Sequence, residues 1–348
     1  MKVLLYSNHQ KMIEKSGVGR AIYHQKQALQ NNNIPWTMNE KDEYDVVHIN
    51  TIFLKSYRMS KKAKKHGKKV VYHAHSTQED FRNSFICSNL IAPMFKYWIT
   101  KCYNTADLIV TPTDYSKKLI SKYKINKPIV NISNGIDTAY YEPNEEYRRR
   151  FREKYHFSEE DKIIISVGLY IERKGILEFV EMAKRMPEYK FVWFGYTNLN
   201  TVPPKIRHAV QTKLPNLFFP GYVNRDELKE AYGGADLFLF MTHEETEGIV
   251  VLEALAMRIP VLVRDIPVFD DWLMNDVNCY KANENEEFED KIKGILTGRL
   301  ESKVEEGFQV AKSRDLKEVG KQLISEYQKV CDNYYQQYRP ELSPQTMK

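Results

Sequence analysis

Cysteine is scarce in this sequence, and so are the patterns that would make use of it. The 348 residues include four cysteines, Cys87, Cys102, Cys279 and Cys331, and no two of them have the Cys-x-x-Cys spacing. This scatter argues against a disulfide framework and against a structural zinc site. It is typical of a protein that folds in a reducing cytoplasm.

Long apolar runs are also absent. No segment offers the roughly 20 unbroken apolar residues that span a bilayer, and the apolar run in the N-terminal MKVLLYSNHQ is too short for a signal peptide. We therefore expect a cytoplasmic location. With 42% hydrophobic residues the composition is globular, and 348 residues are too many for one core, so we expect two domains.

Two nucleotide-binding fingerprints are missing. There is no G-x-x-x-x-G-K-[ST] loop, and the G-x-G-x-x-G pattern that starts at Gly17 fails because Ile22 stands where the third glycine belongs. A P-loop site and a nicotinamide or flavin site are therefore poorly supported. Gly17 and Gly19 could still let backbone amides approach a phosphate at a helix N-terminus, or could serve only a tight turn.

Charge is distributed unevenly along the chain. Residues 1–140 contain 22 Lys and Arg against 10 Asp and Glu, and residues 141–348 contain 30 against 36, which gives +12 and −6 within the net charge of +6. This split indicates that the first half faces an anionic partner. No nucleic-acid reading motif accompanies the basic residues, so we do not expect that partner to be nucleic acid.

Short β-rich runs alternate with helical patterns throughout. The runs are almost continuously apolar, as strands buried on both faces of a parallel sheet should be. Two consecutive β-α-β series predict an α/β protein with two Rossmann-like, doubly wound parallel-sheet domains that face each other across a cleft. The predicted strands are Val3–Ser7, Val46–Asn50, Val70–His73, Leu108–Thr111, Ile129–Ser133, Ile163–Val167, Phe191–Phe194, Leu217–Phe219, Leu237–Met241 and Val261–Val263.

The predicted domains are 1–155 and 156–325, followed by a C-terminal helix and tail at 326–348 that could pack back on the first domain. The boundary falls in EPNEEYRRRFREKYHFSEED, a charged segment without strand signal that predicts an exposed linker helix. We expect the final polar tail to be disordered. Ligands of open α/β sheets bind at the carboxyl ends of the strands, which places the predicted site in the cleft.

Three patterns at predicted strand ends could belong to that site. His73 and His75 end one strand on the same face; they are either hydrogen-bonded structural residues or polar contacts in the cleft, and spacing identifies no third metal ligand. Arg173 and Lys174 follow another strand and precede a helix entered at Gly175. A cation pair beside a helix N-terminus suits a diphosphate, although such pairs are also ordinary surface features.

The third pattern is HEETEGIVVLEAL, residues 243–255. We expect a loop followed by a helix that begins near Gly248, with Glu245 ahead of it and Glu253 inside it. The helical rise puts the two carboxylates roughly 10 Å apart, which is too far for one metal ion and for the pair of a retaining glycosidase, at about 5 Å. The spacing suits one elongated ligand, with the amides of Gly248, Ile249 and Val250 near its negative charge; a capped core helix is the alternative.

Two segments of the basic half could meet a membrane. The segment SYRMSKKAKKHGKK predicts a basic helical face, and FICSNLIAPMFKYWITKCY contains aromatic residues beside lysines, as interface-dipping segments do. A solvated face and core packing are the respective alternatives. The predicted membrane or acceptor residues are Arg58, Lys61, Lys62, Lys65, Lys69, Phe95 and Trp98.

Taken together, the motifs resemble those of the retaining glycosyltransferases of family 4, which have the two-domain GT-B fold. The resemblance rests on Gly17-x-Gly19, His75, NGID at 134–137, ERKG at 172–175 and the pair Glu245 and Glu253, and it extends to about residue 330. More narrowly, KSGVGRA, DVVHIN, AHSTQEDF and SVGLYIERKGI resemble bacterial enzymes that extend glucosyl-diacylglycerol to a dihexosyl glycolipid, the anchor of lipoteichoic acid.

The resemblance implies a role for each matching position. Lys174, with Arg173, would hold the donor diphosphate; Glu245 would bind sugar hydroxyls, Glu253 the ribose, and His75 the sugar near C6. Donor-binding roles would also fall to Gly17, Gly19, Asn134, Gly135, Glu247, Gly248, Ile249 and Val250. Leu169 stands where family members commonly have an arginine, and Glu247 stands at a usually apolar position, so Arg173 would supply the missing charge and Glu247 could alter sugar choice.

The implied reaction transfers glucose or galactose from the UDP-sugar to glucosyl-diacylglycerol with retention, on the inner face of the cell membrane. No D-x-D triplet is present, so we expect no obligatory metal and no cofactor. Two alternatives stay open. One is the same donor chemistry with a polysaccharide or teichoic acid precursor as acceptor, and the other is a non-enzymatic protein that binds a nucleotide sugar.

Overall fold

The computed structural model describes residues 1–9, 13 and 16–337, so the tail predicted to be disordered lies, from 338 onward, outside the described residues. Packing divides the chain into two compact units. The first comprises Met1–Gln78, Ala92–Gly135 and the chain from Leu316 onward, and the second comprises Glu79–Ile91 and Ile136–Asp315. This division differs from the predicted limits at 155 and 325, and it assigns a short piece of the first half to the second unit.

The first unit is built on a six-stranded sheet of order β2-β1-β3-β4-β5-β6, and all of its strand pairs are parallel. The strands are β1 Val3–Tyr6, β2 Trp36–Thr37, β3 Val46–Ile49, β4 Lys69–His73, β5 Leu108–Thr111 and β6 Ile129–Asn131. The helices of this half are α1 Gly17–Asn31, α2 Leu54–Lys65, α3 Gln78–Phe81, α4 Ser88–Tyr103 and α5 Asp114–Ser121. Strands β3 and β5 are buried along their whole length, which is why they are continuously apolar in sequence.

The second unit repeats this plan with a parallel sheet of order β12-β11-β10-β7-β8-β9. Its strands are β7 Ile163–Val167, β8 Lys190–Phe194, β9 Leu217–Gly221, β10 Leu237–Phe240, β11 Val261–Arg264 and β12 Tyr280–Ala282. Its helices are α6 Glu145–Tyr155, α7 Ile176–Arg185, α8 Pro204–Gln211, α9 Arg225–Gly234, α10 Ile249–Ala256, α11 Asn285–Leu296 and α12 Val304–Ser313. The predicted α/β class with two parallel sheets in separate domains is confirmed.

Helix α6 is the segment that was predicted to be an exposed linker, and that part of the prediction is wrong. Phe151 and Arg152 on this helix are each 1% exposed. The Phe151 ring packs so closely on α9 that a Cβ added at Gly234 would lie 2.4 Å from it, and Arg152 pairs with Asp236 at 3.0 Å. Because one face of α6 is buried in this way, the helix belongs to the second unit.

The last helix, α13 Leu316–Cys331, lies in the first unit. It approaches α1 so closely that a Cβ added at Gly320 would lie 2.5 Å from the carbonyl oxygen of Ala28. Val319, Leu323 and Tyr327 pack into the same apolar cluster as β1 and β4 residues. The predicted limit at 325 would have cut this helix in two. Among the described residues, none of the helices has both the length and the apolar character needed to cross a membrane.

Candidate active site

The turn that follows β7 is locked against the end of β10. Glu172–Lys174 form one turn of 3-10 helix, and Gly175 ends it in the left-handed region at φ 79° before α7 begins. A Cβ at Gly175 would lie 2.1 Å from the carbonyl oxygen of Met241, so only glycine permits this approach. The Arg173 carbonyl accepts a hydrogen bond from the His243 amide at 2.7 Å. The two predicted motifs of this unit, ERKG and HEETEG, therefore meet.

Lys174 and Glu245 form a direct ion pair at this meeting point. The Lys174 ammonium donates to Glu245 Oε1, and the Thr242 hydroxyl donates to the same oxygen at 3.1 Å. The two charged side chains are 15% and 8% exposed. Burial lowers the pKa of Lys174, and the Glu245 carboxylate opposes that shift. The pair supports the prediction that these residues act together, although it does not test their roles.

Arg173 is held by groups that the sequence analysis missed. Its Nη1 lies 2.8 Å from Asp80 Oδ1 and donates to the carbonyl of Glu244 at 2.6 Å, while its Nε donates to the Ser84 hydroxyl at 3.3 Å. Burial raises the pKa of Asp80, and the Arg173 guanidinium opposes that rise. Asp80 lies in the quoted motif AHSTQEDF, which was the available signal.

These four side chains form a charge-balanced set, which we call the ionic cluster: Asp80, Arg173, Lys174 and Glu245. Arg173 Nη1 is also 3.9 Å from Glu245 Oε1, so each cation has a carboxylate neighbour. Two positive and two negative charges in one buried place leave no net charge. An anionic ligand that reaches the cations would therefore compete with carboxylates of the protein itself.

Helix α10 begins where the sequence predicted. Gly248 is its N-cap, in the left-handed region at φ 93°, and Ile249 and Val250 are its first residues. Glu253 is 1% exposed, and its two carboxylate oxygens accept hydrogen bonds from the Tyr141 hydroxyl at 2.7 Å and the Tyr232 hydroxyl at 3.0 Å. Each carboxylate oxygen has two lone-pair sites, so these bonds leave acceptor capacity for a ligand.

Glu247 is as buried as Glu253, at 1% exposed. Burial lowers the pKa of Arg314, and the negative charge of Glu247 opposes that shift. Arg314 lies over the Trp272 ring at 5.1 Å. The cation that faces Glu247 was not predicted, because it comes from a segment about 70 residues later that has no recognisable motif of its own.

In the first unit, the predicted glycine pair is part of a helix. Ser16 caps α1, and its hydroxyl accepts from the Gly19 amide at 3.4 Å, so Gly17 and Gly19 form the first turn of α1. Asn134 is 7% exposed, and the Gly135 amide donates to the Ser133 hydroxyl at 3.0 Å. Their roles in donor binding stay predictions.

His75 and His73 follow the predicted same-face arrangement, with stacked rings 4.0 Å apart. The Nε2 atom of His75 lies 2.9 Å from Asn50 Oδ1, and His73 is 2% exposed. Burial lowers the pKa of His75 to about 3, so its ring is neutral at pH 7. Among the described residues no group of three or more His, Cys, Asp and Glu side chains is arranged to hold a metal ion.

The predicted membrane residues divide into two groups. Arg58, Lys61, Lys62 and Lys65 are exposed on α2. Lys69 is instead the first residue of β4, and its ammonium donates to Asn333 Oδ1, so it is not part of that helical face.

The aromatic residues of α4 also differ from the prediction. Phe95 and Trp98 pack against the apolar core, and Trp98 Nε1 donates to the carbonyl of Ile52 at 2.6 Å. The large apolar side chains that α4 exposes are others: Leu90 at 83%, Met94 at 66% and Tyr97 at 69%.

Comparison with known proteins assigns both halves of the chain to glycosyltransferase families. Residues 17–140 match the family described as "Glycosyltransferase Family 4", and residues 147–310 match "Glycosyl transferases group 1". The chain is 44% identical over 333 residues, 95% of its length and 98% of the relative's, to a processive diacylglycerol alpha-glucosyltransferase of Acholeplasma laidlawii. It is 25% identical over 296 residues, 84% of this chain and 75% of the relative, to an alpha-galactosylglucosyldiacylglycerol synthase of Streptococcus pneumoniae.

Solved structures agree on the fold. Anabaena HepE in complex with UDP-glucose superimposes with a TM-score of 0.76 at 14% identity, covering 94% of this chain and 99% of that one. A sucrose-phosphate synthase from Thermosynechococcus elongatus gives a TM-score of 0.78 at 13% identity, covering 96% and 100%. At these identities the likeness establishes a shared architecture, the GT-B fold, and the sequence relatives establish the family.

Proposed function

The chain belongs to the glycosyltransferases of family 4, and we propose that it transfers glucose from UDP-glucose to glucosyl-diacylglycerol, giving an α-linked dihexosyl-diacylglycerol. The observation on which this rests is the 44% identity over 95% of the chain to a diacylglycerol alpha-glucosyltransferase. That relative's name favours glucose over galactose as the donor sugar. The second relative, a synthase of a galactosylglucosyl lipid, favours a lipid acceptor over a polysaccharide.

In this proposal the ionic cluster receives the donor diphosphate. Arg173 and Lys174 are adjacent in sequence, and both side chains have buried charges. A guanidinium and an ammonium held in place stabilise the charge that develops on the departing phosphate, without reorganising during the reaction. Leu169 stands where the family commonly has an arginine, and Arg173 supplies that charge. Binding requires that Asp80 and Glu245 give up part of their contacts with the two cations.

The glutamates bind the two ends of the donor. Glu245, once exchanged from Lys174, accepts hydrogen bonds from sugar hydroxyls, and Glu253 accepts from the ribose while the two tyrosine hydroxyls keep it oriented. The amides of Gly248, Ile249 and Val250 at the start of α10 face the negative charge. Glu247, balanced by Arg314, influences which sugar is accepted.

The transfer proceeds with retention, because a UDP-α-sugar gives an α-linked product. The acceptor oxygen forms a bond to the anomeric carbon on the face from which the phosphate leaves, the bond from that carbon to the phosphate oxygen breaks, and the acceptor proton moves to the departing phosphate. No protein nucleophile takes part. Two protein cations neutralise the diphosphate, so we propose that the reaction needs no metal.

We also propose that the protein is peripheral, and that α2 and α4 dock it on the anionic inner face of the membrane. Four exposed basic residues of α2 would each contribute about 1 kcal/mol near an anionic surface. Leu90, Met94 and Tyr97 supply the exposed apolar side chains on α4 that would enter the interface. The basic first half, at +12 over residues 1–140, agrees with this docking.

The reaction is tested by mass spectrometry of products. The purified protein is given UDP-glucose or UDP-galactose with unglycosylated diacylglycerol, glucosyl-diacylglycerol or water-soluble saccharide acceptors in detergent. We expect one added hexose on glucosyl-diacylglycerol with UDP-glucose, in the α configuration by NMR. Preference for soluble acceptors would contradict the lipid assignment, and tight donor binding without turnover in any mixture would indicate a binding protein.

Docking is tested by sedimentation with anionic and neutral vesicles. The wild-type protein should sediment with anionic vesicles and be released by salt. A Met94→Ser, Tyr97→Ser double variant should bind less at all salt concentrations, whereas Lys61→Gln with Lys62→Gln should mainly reduce the salt-sensitive part. Equal binding to both vesicle types, unaffected by salt, would contradict the proposal.

A further inference from the structure

A continuous set of polar side chains runs through the first unit from its last helix to His75. We call this set the histidine network; its members are Gln25, His48, Asn50, His73, His75 and Tyr327. All except His75 are at most 3% exposed. Burial of this many polar groups is tolerated only when their donors and acceptors match.

The direction of the hydrogen bonds can be deduced from one end. Tyr327, on α13, is 0% exposed, and among the described residues the hydrogen-bond partner of its hydroxyl is His48 Nδ1 at 2.5 Å. A hydroxyl has one hydrogen, and here it has one place to donate it. Nδ1 of His48 is therefore an acceptor, and its Nε2 holds the proton, which is donated to His73 Nδ1 at 3.1 Å.

The same logic continues to the other end. Because His73 Nδ1 accepts, the Gln25 atom that lies 3.0 Å from it must be the amide nitrogen, Nε2. Gln25 and Asn50 then form a reciprocal pair with both distances at 2.8 Å, which turns Asn50 Oδ1 towards His75 Nε2 at 2.9 Å. A carboxamide oxygen cannot donate, so His75 Nε2 is the donor and its Nδ1 has the free lone pair.

The reversed arrangement leaves more atoms unpaired. In the direction deduced above, one buried atom lacks a partner among the described residues, His73 Nε2. If every bond were reversed, His73 Nε2 would still lack one, and the hydroxyl hydrogen of Tyr327 would lose its acceptor as well. An unmade buried hydrogen bond is costly, so the deduced direction is favoured. Asn50 Nδ2 also approaches the carbonyl of His48 at 3.5 Å, which fits only this orientation of the amide.

We propose that Asn50, Gln25, His73, His48 and Tyr327 are positioning residues that hold His75 as its Nε2–H tautomer, so that Nδ1 is an obligatory hydrogen-bond acceptor. Burial lowers the pKa of His48 and of His75 to about 3, and that of His73 further, so all three rings are neutral at pH 7 and each has one N–H. Among the described residues His75 Nδ1 has no hydrogen-bond partner, and it accepts from a hydroxyl of the bound sugar. The last clause rests on the proposed function; the tautomer itself does not.

The tautomer is tested without substrate. Long-range ¹H–¹⁵N correlation spectra of ¹⁵N-histidine-labelled protein distinguish the two ring tautomers, and the His75 signals are assigned by their loss in His75→Gln. We expect Nε2–H in the wild type and a mixture of tautomers in Tyr327→Phe, which removes only the donor at the far end. An Nδ1–H ring in the wild type, or an unchanged tautomer in Tyr327→Phe, would overturn the proposal.

Kinetics separate positioning from loss of structure. Tyr327→Phe should lower kcat/KM for UDP-glucose by about three- to tenfold, the range of one hydrogen bond, and this loss should shrink with a UDP-6-deoxyglucose donor, which lacks the hydroxyl expected at His75. Tyr72→Phe is the matched control, since its hydroxyl is also buried in the first unit but donates to the carbonyl of Thr51. Equal losses with both donors, or in both variants, would refute the positioning role. Absence of any transfer would contradict the proposed function, while the spectra would still decide the tautomer.

Discussion

The two units contain polar clusters of opposite kinds. In the second unit the ionic cluster pairs two cations with two carboxylates, and every member is charged. In the first unit the histidine network is made of amides, a phenol and rings whose pKa is lowered by burial, and every member is neutral at pH 7. Both clusters follow the ends of parallel strands, where α/β sheets place their ligands.

The difference indicates different tasks. Buried ion pairs gain little net stability, because desolvation offsets most of the attraction, so a charged ligand can replace one partner at modest cost. A neutral network with matched donors and acceptors loses a hydrogen bond when any member moves, so it keeps side chains in one orientation. We therefore expect substitutions in the ionic cluster to alter ligand affinity and turnover, and substitutions in the histidine network to alter stability and orientation.

The largest effect is expected for Lys174→Met. This change keeps most of the side-chain stem but removes the ammonium that is proposed to stabilise the departing diphosphate. Loss of one preorganised polar group costs about 3 to 4 kcal/mol in the transition state, so kcat should fall by about 10²- to 10³-fold in a steady-state transfer assay.

Lys184→Met is the matched control for that variant. Lys184 lies on α7, with its side chain 52% exposed beside Glu181, and its loss should leave kcat unchanged. A Lys174→Met enzyme with near-normal turnover would remove the catalytic half of the comparison between the two clusters.

The second effect concerns stability in acid. Folding lowers the pKa of His48 and His75 from the ordinary 6.5 to about 3 and that of His73 further. Between those values the unfolded chain binds protons that the folded protein does not, so the free energy of unfolding falls as pH falls through this window and is unaffected above it. Each histidine contributes up to about 1.4 kcal/mol per pH unit, most clearly between pH 6 and 5, where ordinary carboxylates stay ionised.

Denaturant unfolding at closely spaced pH values measures this slope. His48→Phe removes one of the three groups, so its slope should be smaller than that of the wild type by about 1.4 kcal/mol per pH unit. Identical slopes in the two proteins would mean that His48 is not held neutral, and the contrast between a neutral and an ionic cluster would fail.

A third, smaller effect is expected for Asp80→Asn. The amide oxygen can still accept from Arg173, but the cluster changes from zero to one net positive charge. UDP should then bind about three- to tenfold more tightly, a change of about 1 kcal/mol, as measured by isothermal titration calorimetry.

The neighbouring Glu172→Gln tests whether charge alone is enough. Glu172 is bonded to Lys205, and its side chain is 33% exposed, so solvent screens it and UDP affinity should stay near the wild-type value. Weaker binding in Asp80→Asn would show that Asp80 helps to bind the donor and does not compete with it.

Much of the fold could be predicted because burial on both faces leaves a clear trace in sequence. The ten predicted strands all exist, with ends that differ by at most two residues. Strands β2 and β12 were missed because two or three residues, Trp36–Thr37 and Tyr280–Ala282, give no periodicity. The linker prediction for α6 failed because its buried face, Phe151 and Arg152, is masked in sequence by surrounding charges.

The candidate site was predictable only where a motif marks it. Lys174 and Glu245 stand in recognisable positions after strands, and the structure pairs them. Asp80 could not be assigned, because the sequence places it in the first half while its contacts are in the second unit. Asn50 and Tyr327 are separated from His75 by 25 and 252 residues, and neither residue type signals a hydrogen-bond network by itself.

The smallest effect is expected at the surface of the second unit, where ion pairs are numerous. Arg149 contacts Glu146 and Glu153 on α6, but its side chain is 56% exposed, so water and salt compete for both contacts. Arg149→Gln should leave the thermal unfolding midpoint and the activity unchanged within error. The same change at Arg152, whose side chain is 2% exposed and paired with Asp236, should lower the midpoint clearly, because it leaves a carboxylate unpaired in the interior. If both variants behaved alike, burial would not be what separates functional and structural ion pairs from surface ones, and the charge balance of the ionic cluster would lose its significance.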